Sequence, residues 1–296
     1  MINLISPHWL TFGPSGFLTA QNFAAIPSQA AKRYGDRQFV AMMLAKVICV
    51  QLISMMGYNL LFQDVDMVWY KHPLKFFENP EAGDFDVYFQ DDGAHTQRYA
   101  PYSANSGFYY VRHNARSQFF LTALLHAGDV IIRTDSHQQA LIALLAEHAS
   151  LYGLKVKVLS RDMDEFPGGY HFHQKSGKYM HGFFNGNIQP YLFHMSWTLN
   201  KDNKILFLKQ MGDWWVADSC VGETKNQITS EPTVNMLCCL AEPAISCHFR
   251  DKPSKIPCND SPSIDKNKPS WWTKFDSDNH GTLGKLIASI SHGEPN

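Results

Sequence analysis

A pair of carboxylates, Asp64 and Asp66, follows one short apolar run and precedes another, and this arrangement constrains the fold more than any other feature. The run before the pair, Tyr58 to Phe62, has the length and composition of a buried strand. A helical pattern from Asp36 to Met56 precedes that strand, with an aspartate N-cap at its first residue and Gly57 as the stop. A helix that leads directly into a buried strand is typical of α/β proteins.

The same alternation of strand and helix continues to about residue 210. Apolar runs bounded by turn residues predict further strands at residues 86–90, 108–112, 156–159 and 190–195. Apolar residues at helical spacing predict helices at residues 115–127 and 136–148. The pattern therefore predicts an α/β sandwich with a mainly parallel sheet.

The bulk composition excludes some classes of protein. A hydrophobic content of 45% and a charged content of 18% are typical of a globular chain with a large core. The net charge of -1 gives no basic excess, so we expect no nucleic-acid partner. The longest apolar segment, Phe39 to Met56, contains Lys46 and is shorter than the ~20 apolar residues of a membrane span, so it predicts a buried helix. No signal peptide is visible at the start, so the protein is either cytosolic or lacks a targeting segment in this sequence.

The cysteines suggest how the chain is organised. Cys49 lies alone in the apolar helix, and five more cysteines fall in the last third: Cys220, Cys238, Cys239, Cys247 and Cys258. This clustering favours disulfides and an oxidising lumen, with reduced cytosolic thiols as the alternative. We expect an irregular segment at residues 1–35, a single domain at residues 36–216 and an extended, disulfide-bonded tail at residues 217–296.

The two carboxylates predict a metal site. Alternate residues at a strand end point the same way, so Asp64 and Asp66 can converge on one cation. Carboxylate oxygens suit Mg²⁺ or Mn²⁺, and such a cation can bridge the two phosphates of a nucleotide donor. In an open α/β sheet, ligands bind at the carboxyl ends of the strands, where these two residues lie.

Three ordered blocks give the chain a specific resemblance. They are Gly57–Tyr70, Asn105–Arg112, and Pro190–Thr198 followed by Lys201. Together they resemble the nucleotide-diphospho-sugar transferase family of plants and algae, the glycosyltransferase family 77 type, over about residues 30–216. The resemblance implies a GT-A fold, which is a Rossmann-type sandwich, with a UDP-sugar donor, Mn²⁺ dependence and retention of anomeric configuration.

The resemblance also implies roles for single residues. Asp64 and Asp66 match the carboxylates that hold the metal and the donor, and His194 matches a third metal ligand. Lys201 is a candidate contact for the diphosphate. The alternatives are that His194 is an ordinary buried histidine beside Trp197, and that Lys201 belongs to a charged turn.

Three further residues are candidates for donor binding. Lys46 is the sole charge in the apolar helix, and it could reach the donor phosphates or sugar; otherwise it extends to solvent or forms a salt bridge. Asn105 can hydrogen-bond sugar hydroxyls, and Gly107 permits a close backbone approach, unless the two form a plain turn. Gly168 and Gly169 suggest a second loop of close approach.

His137 and Gln138 are the candidate catalytic residues, because the resemblance implies an Asp-Gln pair at the start of a helix near the sugar. His137 stands where the aspartate is expected, and Asp135 is a possible replacement. Only about 35 irregular residues precede the first helix, so either the first strands of the fold are missing from this sequence or the N-terminus is remodelled. A missing first strand would leave one sheet edge open.

These observations predict a glycosyltransferase that moves a sugar from a UDP-sugar to a hydroxyl of a glycan or glycoprotein, in the Golgi or another lumen of the secretory pathway. A membrane anchor is expected only if an N-terminal segment is missing. One alternative is a catalytically inactive, sugar-binding relative. The other is a metal-dependent phosphohydrolase, which requires more clustered carboxylates, such as Asp91 and Asp92.

Overall fold

The structure is a computed structural model, and the residues that it describes are 11–12, 16–17, 31, 34–173, 179, 182–183, 186–198, 201–217 and 238–244. Contacts divide the chain into two compact units. The first comprises Met1–Tyr170 and Pro190–Trp197, and the second comprises His171–Gln189 and Thr198–Asn296. The residues predicted to form the metal site all lie in the first unit.

A four-stranded sheet forms the centre of the first unit. Its strands, in spatial order, are β3 (Leu60–Gln63), β6 (Ala104–Val111), β5 (Val87–Asp91) and β7 (Val156–Leu159). Strand β6 pairs antiparallel with both β3 and β5, whereas β5 and β7 are parallel. The described sheet is therefore mixed, and the expectation of a mainly parallel sheet needs correction. The connection from β5 to β6 holds one 3₁₀ turn, Gln97–Tyr99, and no crossover helix, so β6 returns antiparallel.

Helices cover one face of the sheet. They are α1 (Arg37–Met55), α3 (Ala115–His126), α4 (Gly128–Thr134) and α5 (His137–Leu151), and a short helix α2 (Leu74–Phe77) lies elsewhere in the unit. Val50 of α1, Phe120 of α3 and Leu141 of α5 share one buried cluster with Phe89 of the sheet. Burial of these apolar side chains supplies the main stabilisation of the layer.

Helix α1 begins and ends where the sequence predicted. The Asp36 side chain accepts a hydrogen bond from the Phe39 amide at 2.8 Å, and Gly57 follows the helix with a φ of 87°. The helix is long and apolar enough to cross a membrane by length and composition, with a mean hydropathy of 1.8 over its 18-residue window. Because Met43, Val47 and Val50 are buried in the core of the unit, α1 packs as a core helix, as predicted.

A second cluster, rich in aromatic rings, covers the other face of the sheet. It contains Tyr88, Phe108, Phe166 and Leu192. A two-stranded antiparallel ribbon of β4 (Met67–Trp69) and β8 (Leu192–His194) belongs to the same unit. Along β5, Tyr88 belongs to this cluster and Phe89 to the helical one, as the alternation of side chains in a strand requires.

Several predicted elements differ in their bounds. The strand predicted at residues 108–112 begins earlier, at Ala104, so Asn105 and Gly107 lie inside β6 and not in a turn. The helix predicted from Ser136 is α5, with Ser136 as its N-cap. Strand β4, helix α4 and a later helix, α7 (Lys201–Met211), were not predicted. The segment predicted to be irregular, residues 1–35, contains a short antiparallel pair, β1 (Thr11–Phe12) and β2 (Gly16–Phe17).

The described part of the second unit contains α7 and most of helix α6 (Gly169–His173), and the rings of Phe172 and Phe207 from these helices lie 4.6 Å apart. Val216 forms an isolated antiparallel bridge with Cys239. Cys238 is disulfide-bonded, whereas Cys239 is free, as is Cys49 in the first unit. Cys220, Cys247, Cys258 and most of the predicted tail lie outside the described residues.

Candidate metal and donor site

Three potential metal ligands meet at the carboxyl end of β3. Asp64 follows β3, Asp66 precedes β4, and His194 ends β8. The pairing of Met67 with His194 brings β8 alongside, and the Met195 amide donates to the Asp66 carbonyl at 2.9 Å. One ligand atom from each of the three side chains lies within 4.8 Å of the others, and no other such group of three occurs among the described residues. The sequence predicted this trio of residues, and the structure brings them together.

Gln90 fixes the orientation of the His194 ring. The Gln90 Nε2 atom donates to the carbonyls of Phe166 and Pro167, at 3.0 and 2.9 Å, so Oε1 must face the other way. That oxygen lies 2.6 Å from Nδ1 of His194 and can only accept, so Nδ1 carries the proton. Nε2, the other ring nitrogen, lies 3.5 Å from Oδ1 of Asp66. A histidine oriented in this way by its other nitrogen is a common metal-ligand arrangement.

Lys46 forms an ion pair with one of the carboxylates. Its Nζ donates to Oδ1 of Asp64 at 2.6 Å, and it lies over the Phe62 ring at 5.1 Å from the centroid. The lysine is almost fully buried, whereas the Asp64 side chain is 36% exposed. Lys46 is therefore salt-bridged and does not extend to solvent, and its predicted contact with the donor stays a prediction. Its ammonium balances one of the two carboxylates, and this leaves the trio with a net negative charge that a divalent cation can neutralise.

Gly107 forms the floor of the site because it has no side chain. A Cβ placed there would lie 2.8 Å from Oδ2 of Asp64, 2.8 Å from Cε1 of His194 and 2.9 Å from Oδ1 of Asn105. These distances are shorter than real Cβ contacts, so a larger residue would push the three side chains apart. Gly107 thus allows protein groups to approach its backbone closely, and its predicted contact with the donor stays a prediction.

A second polar cluster surrounds Asp92, which follows β5. Because β3 and β5 run in the same direction, Asp92 lies at the same sheet edge as Asp64. Its Oδ1 accepts from Asn105 Nδ2 at 2.8 Å and from Gln138 Nε2 at 3.2 Å, and its Oδ2 accepts from Trp197 Nε1 at 3.4 Å. Asp92 is buried, and it forms no ion pair with a described residue.

The two clusters share Asn105. Its Oδ1 accepts from the Gly107 amide at 2.7 Å, while its Nδ2 donates to Asp92. Gln138 is also held at both ends, because its Oε1 accepts from the Ser106 amide and hydroxyl, each at 3.0 Å. Each amide donates to Asp92, and its second N–H forms no hydrogen bond with a described residue.

His137 is placed differently from its neighbour. The side chain is buried, and neither ring nitrogen makes a hydrogen bond of normal geometry to a described residue. Burial, and then the positive charge of Lys46, hold its pKa well below the ordinary value of 6.5. His137 is therefore a neutral residue beside Lys46. Asp135, the possible replacement for an acid here, is exposed and follows α4 in a left-handed conformation.

Other predicted residues lie apart from the trio. Asp91 accepts hydrogen bonds from the Gly93 and Arg161 amides and pairs with His95, so it stabilises its own loop. Neither Asp91 nor Asp92 belongs to the metal group of the described residues. These residues therefore do not form the larger carboxylate cluster that a phosphohydrolase would need. Lys201 belongs to the second unit, where it is exposed as the first residue of α7, so its donor contact stays a prediction.

Sequence reasoning missed the contacts of Gln90 and of the Trp197 indole, and it considered Asp92 only as a carboxylate of a phosphohydrolase. Gln90 and Asp92 flank the end of the predicted β5 strand, and polar residues at a strand's carboxyl end are the signal that could have found them.

The chain is similar in sequence to known proteins that transfer sugars. The sequence profile of the nucleotide-diphospho-sugar transferases matches residues 12–208. A UDP-D-xylose:L-fucose alpha-1,3-D-xylosyltransferase, MGP4 of Arabidopsis thaliana, is 35% identical over 68 residues, which are 23% of this chain and 18% of that protein. A UDP-galactose:fucoside alpha-3-galactosyltransferase of Dictyostelium discoideum is 24% identical over 223 residues, which are 68% of this chain and 32% of that protein. The chain thus spans about a third or less of the length of these relatives.

Proposed function

The chain belongs to the nucleotide-diphospho-sugar transferase family, and from this premise we propose that it moves a sugar from a UDP-sugar donor to a hydroxyl group of a glycan or glycoprotein. The convergence of Asp64, Asp66 and His194 beside Lys46 is the observation that carries this proposal. The names of the two relatives favour UDP-xylose or UDP-galactose as donor and a fucoside as acceptor. Residues 36–216 would form the catalytic domain, and residues 217–296 an extended, disulfide-bonded tail.

Asp64, Asp66 and His194 would hold one divalent cation, Mn²⁺ in preference to Mg²⁺. Two carboxylates and an imidazole suit Mn²⁺, and Nε2 of His194, the ring nitrogen that Gln90 does not hold, lies 3.5 Å from Oδ1 of Asp66. When bound, the cation neutralises charge on the diphosphate and so assists the departure of UDP. Lys46 would keep Asp64 in place and offset its charge until the donor arrives.

Gln138 and Asn105 would orient the donor sugar. Each amide has one N–H that is not bonded within the protein clusters, and each is held rigid by Asp92. Such fixed donors can hold a sugar oxygen without reorganisation during the reaction. His137 would contribute by staying uncharged, because an uncharged imidazole leaves the ion pair between the Lys46 ammonium and Asp64 intact. We further propose that Lys201 contacts the diphosphate and that transfer retains the anomeric configuration, with the leaving phosphate accepting the acceptor's proton.

We propose the lumen of the Golgi or another secretory compartment as the site of action. The disulfide at Cys238 supports an oxidising compartment, because such bonds are rare in the cytosol.

The proposal can be tested by screening UDP-sugars for Mn²⁺-dependent release of UDP, with methyl α-L-fucopyranoside as acceptor and Asp66→Ala as the control. The expected result is release from UDP-xylose or UDP-galactose that requires Mn²⁺ and is lost in the variant. Folded protein that releases no UDP from any donor would instead support an inactive, sugar-binding relative. Release of inorganic phosphate in place of UDP would support a phosphohydrolase.

A further inference from the structure

Trp197 adopts a backbone conformation that a tryptophan rarely adopts. Its φ is 64°, in the left-handed region, and it lies three residues after His194. This conformation costs energy in residues other than glycine, and they keep it only where the surrounding structure imposes it. Such outliers cluster at ligand-binding sites, so the contacts that hold Trp197 bear on what its ring does.

Two bare glycines make room for Trp197 and its neighbour. A Cβ on Gly169 would lie 2.7 Å from Cβ of Trp197 and 2.1 Å from the Ser196 carbonyl oxygen. A Cβ on Gly93 would lie 2.3 Å from Cβ of Tyr170. Both contacts are impossible for a larger residue, so only glycine fits at these two positions, one beside Trp197 and the other beside Tyr170.

Aromatic and cationic groups then fix the ring of Trp197. The Tyr170 ring meets it edge to face, with centroids 6.2 Å apart, and the Arg161 guanidinium lies 4.3 Å from the Tyr170 ring centroid. Arg161 is itself anchored, because its Nη1 donates to the Gly93 carbonyl. The adjoining side chains of Trp197, Tyr170 and Arg161, here called the aromatic shelf, are each only partly buried.

The shelf adjoins the metal and donor site. The Trp197 indole N–H donates to Oδ2 of Asp92, and Asp92 is joined through Asn105 to Gly107. Gly107 in turn abuts Asp64 and His194. A molecule on the shelf would therefore lie beside the reacting sugar, next to a buried carboxylate that can accept a hydrogen bond from a hydroxyl group.

We propose that the aromatic shelf is the acceptor subsite, with Trp197 as the surface on which the acceptor sugar stacks and Asp92 as the hydrogen-bond acceptor for one of its hydroxyls. This inference rests on the proposed function, since it assigns the second substrate of the same reaction. The C–H face of a neutral saccharide fits an indole face, and a 6-deoxy sugar such as a fucoside adds an apolar methyl group.

Two different roles for Trp197 lead to different results in the experiment below. A uracil base would also stack on an indole, and in that case the shelf would bind the donor. In the second role, Trp197 only stabilises its own turn. Substitution by glycine isolates this second role, because Trp197→Gly relieves the left-handed strain that Trp197→Ala retains. Trp197→Gly should therefore melt at a higher temperature than Trp197→Ala while binding acceptor no better.

The experiment combines binding and turnover in wild type, Trp197→Phe, Trp197→Ala and Trp197→Gly. Binding of methyl α-L-fucopyranoside is followed by saturation-transfer NMR in the presence of Mn²⁺ and UDP, and turnover by transfer to the same acceptor. Hydrolysis of the donor by water and the dissociation constant of UDP are measured alongside. Trp197→Phe keeps an aromatic face but loses the indole N–H.

We expect Trp197→Ala and Trp197→Gly to raise the acceptor KM about tenfold and to lose the NMR signal, with Trp197→Phe between them and wild type. Donor hydrolysis should fall less than transfer, and the dissociation constant of UDP should stay within about twofold of wild type. An unchanged acceptor KM and NMR signal in these variants would overturn the inference, as would a parallel loss of UDP binding. If wild type binds the fucoside through Trp197 yet releases no UDP, the proposed function fails and the inference about the shelf stands.

Discussion

The Oε1 atom of Gln90 lies 2.6 Å from Nδ1 of His194, although 104 positions separate the two residues in the sequence. Gln90 donates its amide N–H groups to the backbone carbonyls of Phe166 and Pro167, so its side-chain oxygen can only accept from the histidine. One side chain on β5 thereby decides which nitrogen of His194 is free to bind a metal.

Replacing Gln90 by methionine should weaken Mn²⁺ binding about 10- to 100-fold, the usual effect of losing the group that orients a ligating histidine. The measurement is a Mn²⁺ titration followed by electron paramagnetic resonance. Gln118→Met is a matched control, since the Gln118 side chain donates to the Ser54 carbonyl at the far end of α1. Equal Mn²⁺ affinity in Gln90→Met and wild type would contradict the role of Gln90.

Replacing Lys46 by methionine should strengthen Mn²⁺ binding to the nucleotide-free protein by several-fold to about tenfold, because a positive charge beside Asp64 is removed. The Mn²⁺ dissociation constant, measured by titration calorimetry, is the readout. Lys155→Met removes an equal charge from the exposed ion pair with Asp84 and should leave the Mn²⁺ affinity unchanged. Weaker Mn²⁺ binding in Lys46→Met would count against this electrostatic account.

Gly107→Ala should disrupt the site far more than the fold. The added methyl group would displace Asp64, His194 and Asn105, so we expect UDP release to fall at least about 100-fold. The free energy of unfolding should drop by about 1–3 kcal/mol, the usual cost of overpacking. Gly128→Ala is the control, because the nearest atom to its new methyl is Cδ2 of Leu44 at 3.8 Å. Normal Mn²⁺ binding in Gly107→Ala would show that the floor of the site is not as tight as described.

His137 should make stability depend on pH. Burial lowers its pKa in the folded protein, so the unfolded chain binds the proton more readily. The contribution of His137 to the free energy of unfolding is therefore complete above the ordinary pKa of 6.5 and is lost as the pH falls below that value. The loss is at most about 1.4 kcal/mol per pH unit. His137→Asn should flatten this slope, measured as the free energy of unfolding between pH 7 and 5 (roughly the window in which histidine titrates).

His148 provides a check on that prediction. Burial also lowers its pKa, so it contributes a slope of the same sign. The variant His137→Asn should keep the part due to His148, and the double variant with His148→Asn should lose both. A slope in His137→Asn as steep as that of wild type would mean that His137 is protonated in the folded state.

Local chemistry made much of the fold predictable. The Asp36 cap and the Gly57 stop bound α1, and a capping residue, Ser136, starts α5. Strand β7 has the bounds that its apolar run predicted. The mixed sheet was not predictable in this way, because strand direction depends on how β6 returns beside β3 and β5, and alternation of elements along the chain does not record it.

The residues of the site were likewise predictable only in part. Asp64 and Asp66 are neighbours in sequence, so their shared chemistry was visible, and the resemblance supplied His194. Gln90 and Asp92 act through partners 104 and 46 positions away, and a single sequence carries no sign of such pairings. The left-handed conformation of Trp197 was hidden for a related reason, since its close neighbour Gly169 lies 28 positions away and no turn motif at Trp197 itself predicts it.

The central claim is that Asp64, Asp66 and His194 bind a divalent cation that holds the diphosphate of the donor. Titration calorimetry of UDP into wild type and Asp66→Asn, each with Mn²⁺ and with EDTA, tests it most directly. The account predicts that wild type binds UDP at least about 100-fold more tightly with Mn²⁺ than with EDTA, and that Asp66→Asn loses this difference. Equal UDP affinity for wild type in Mn²⁺ and in EDTA would contradict it.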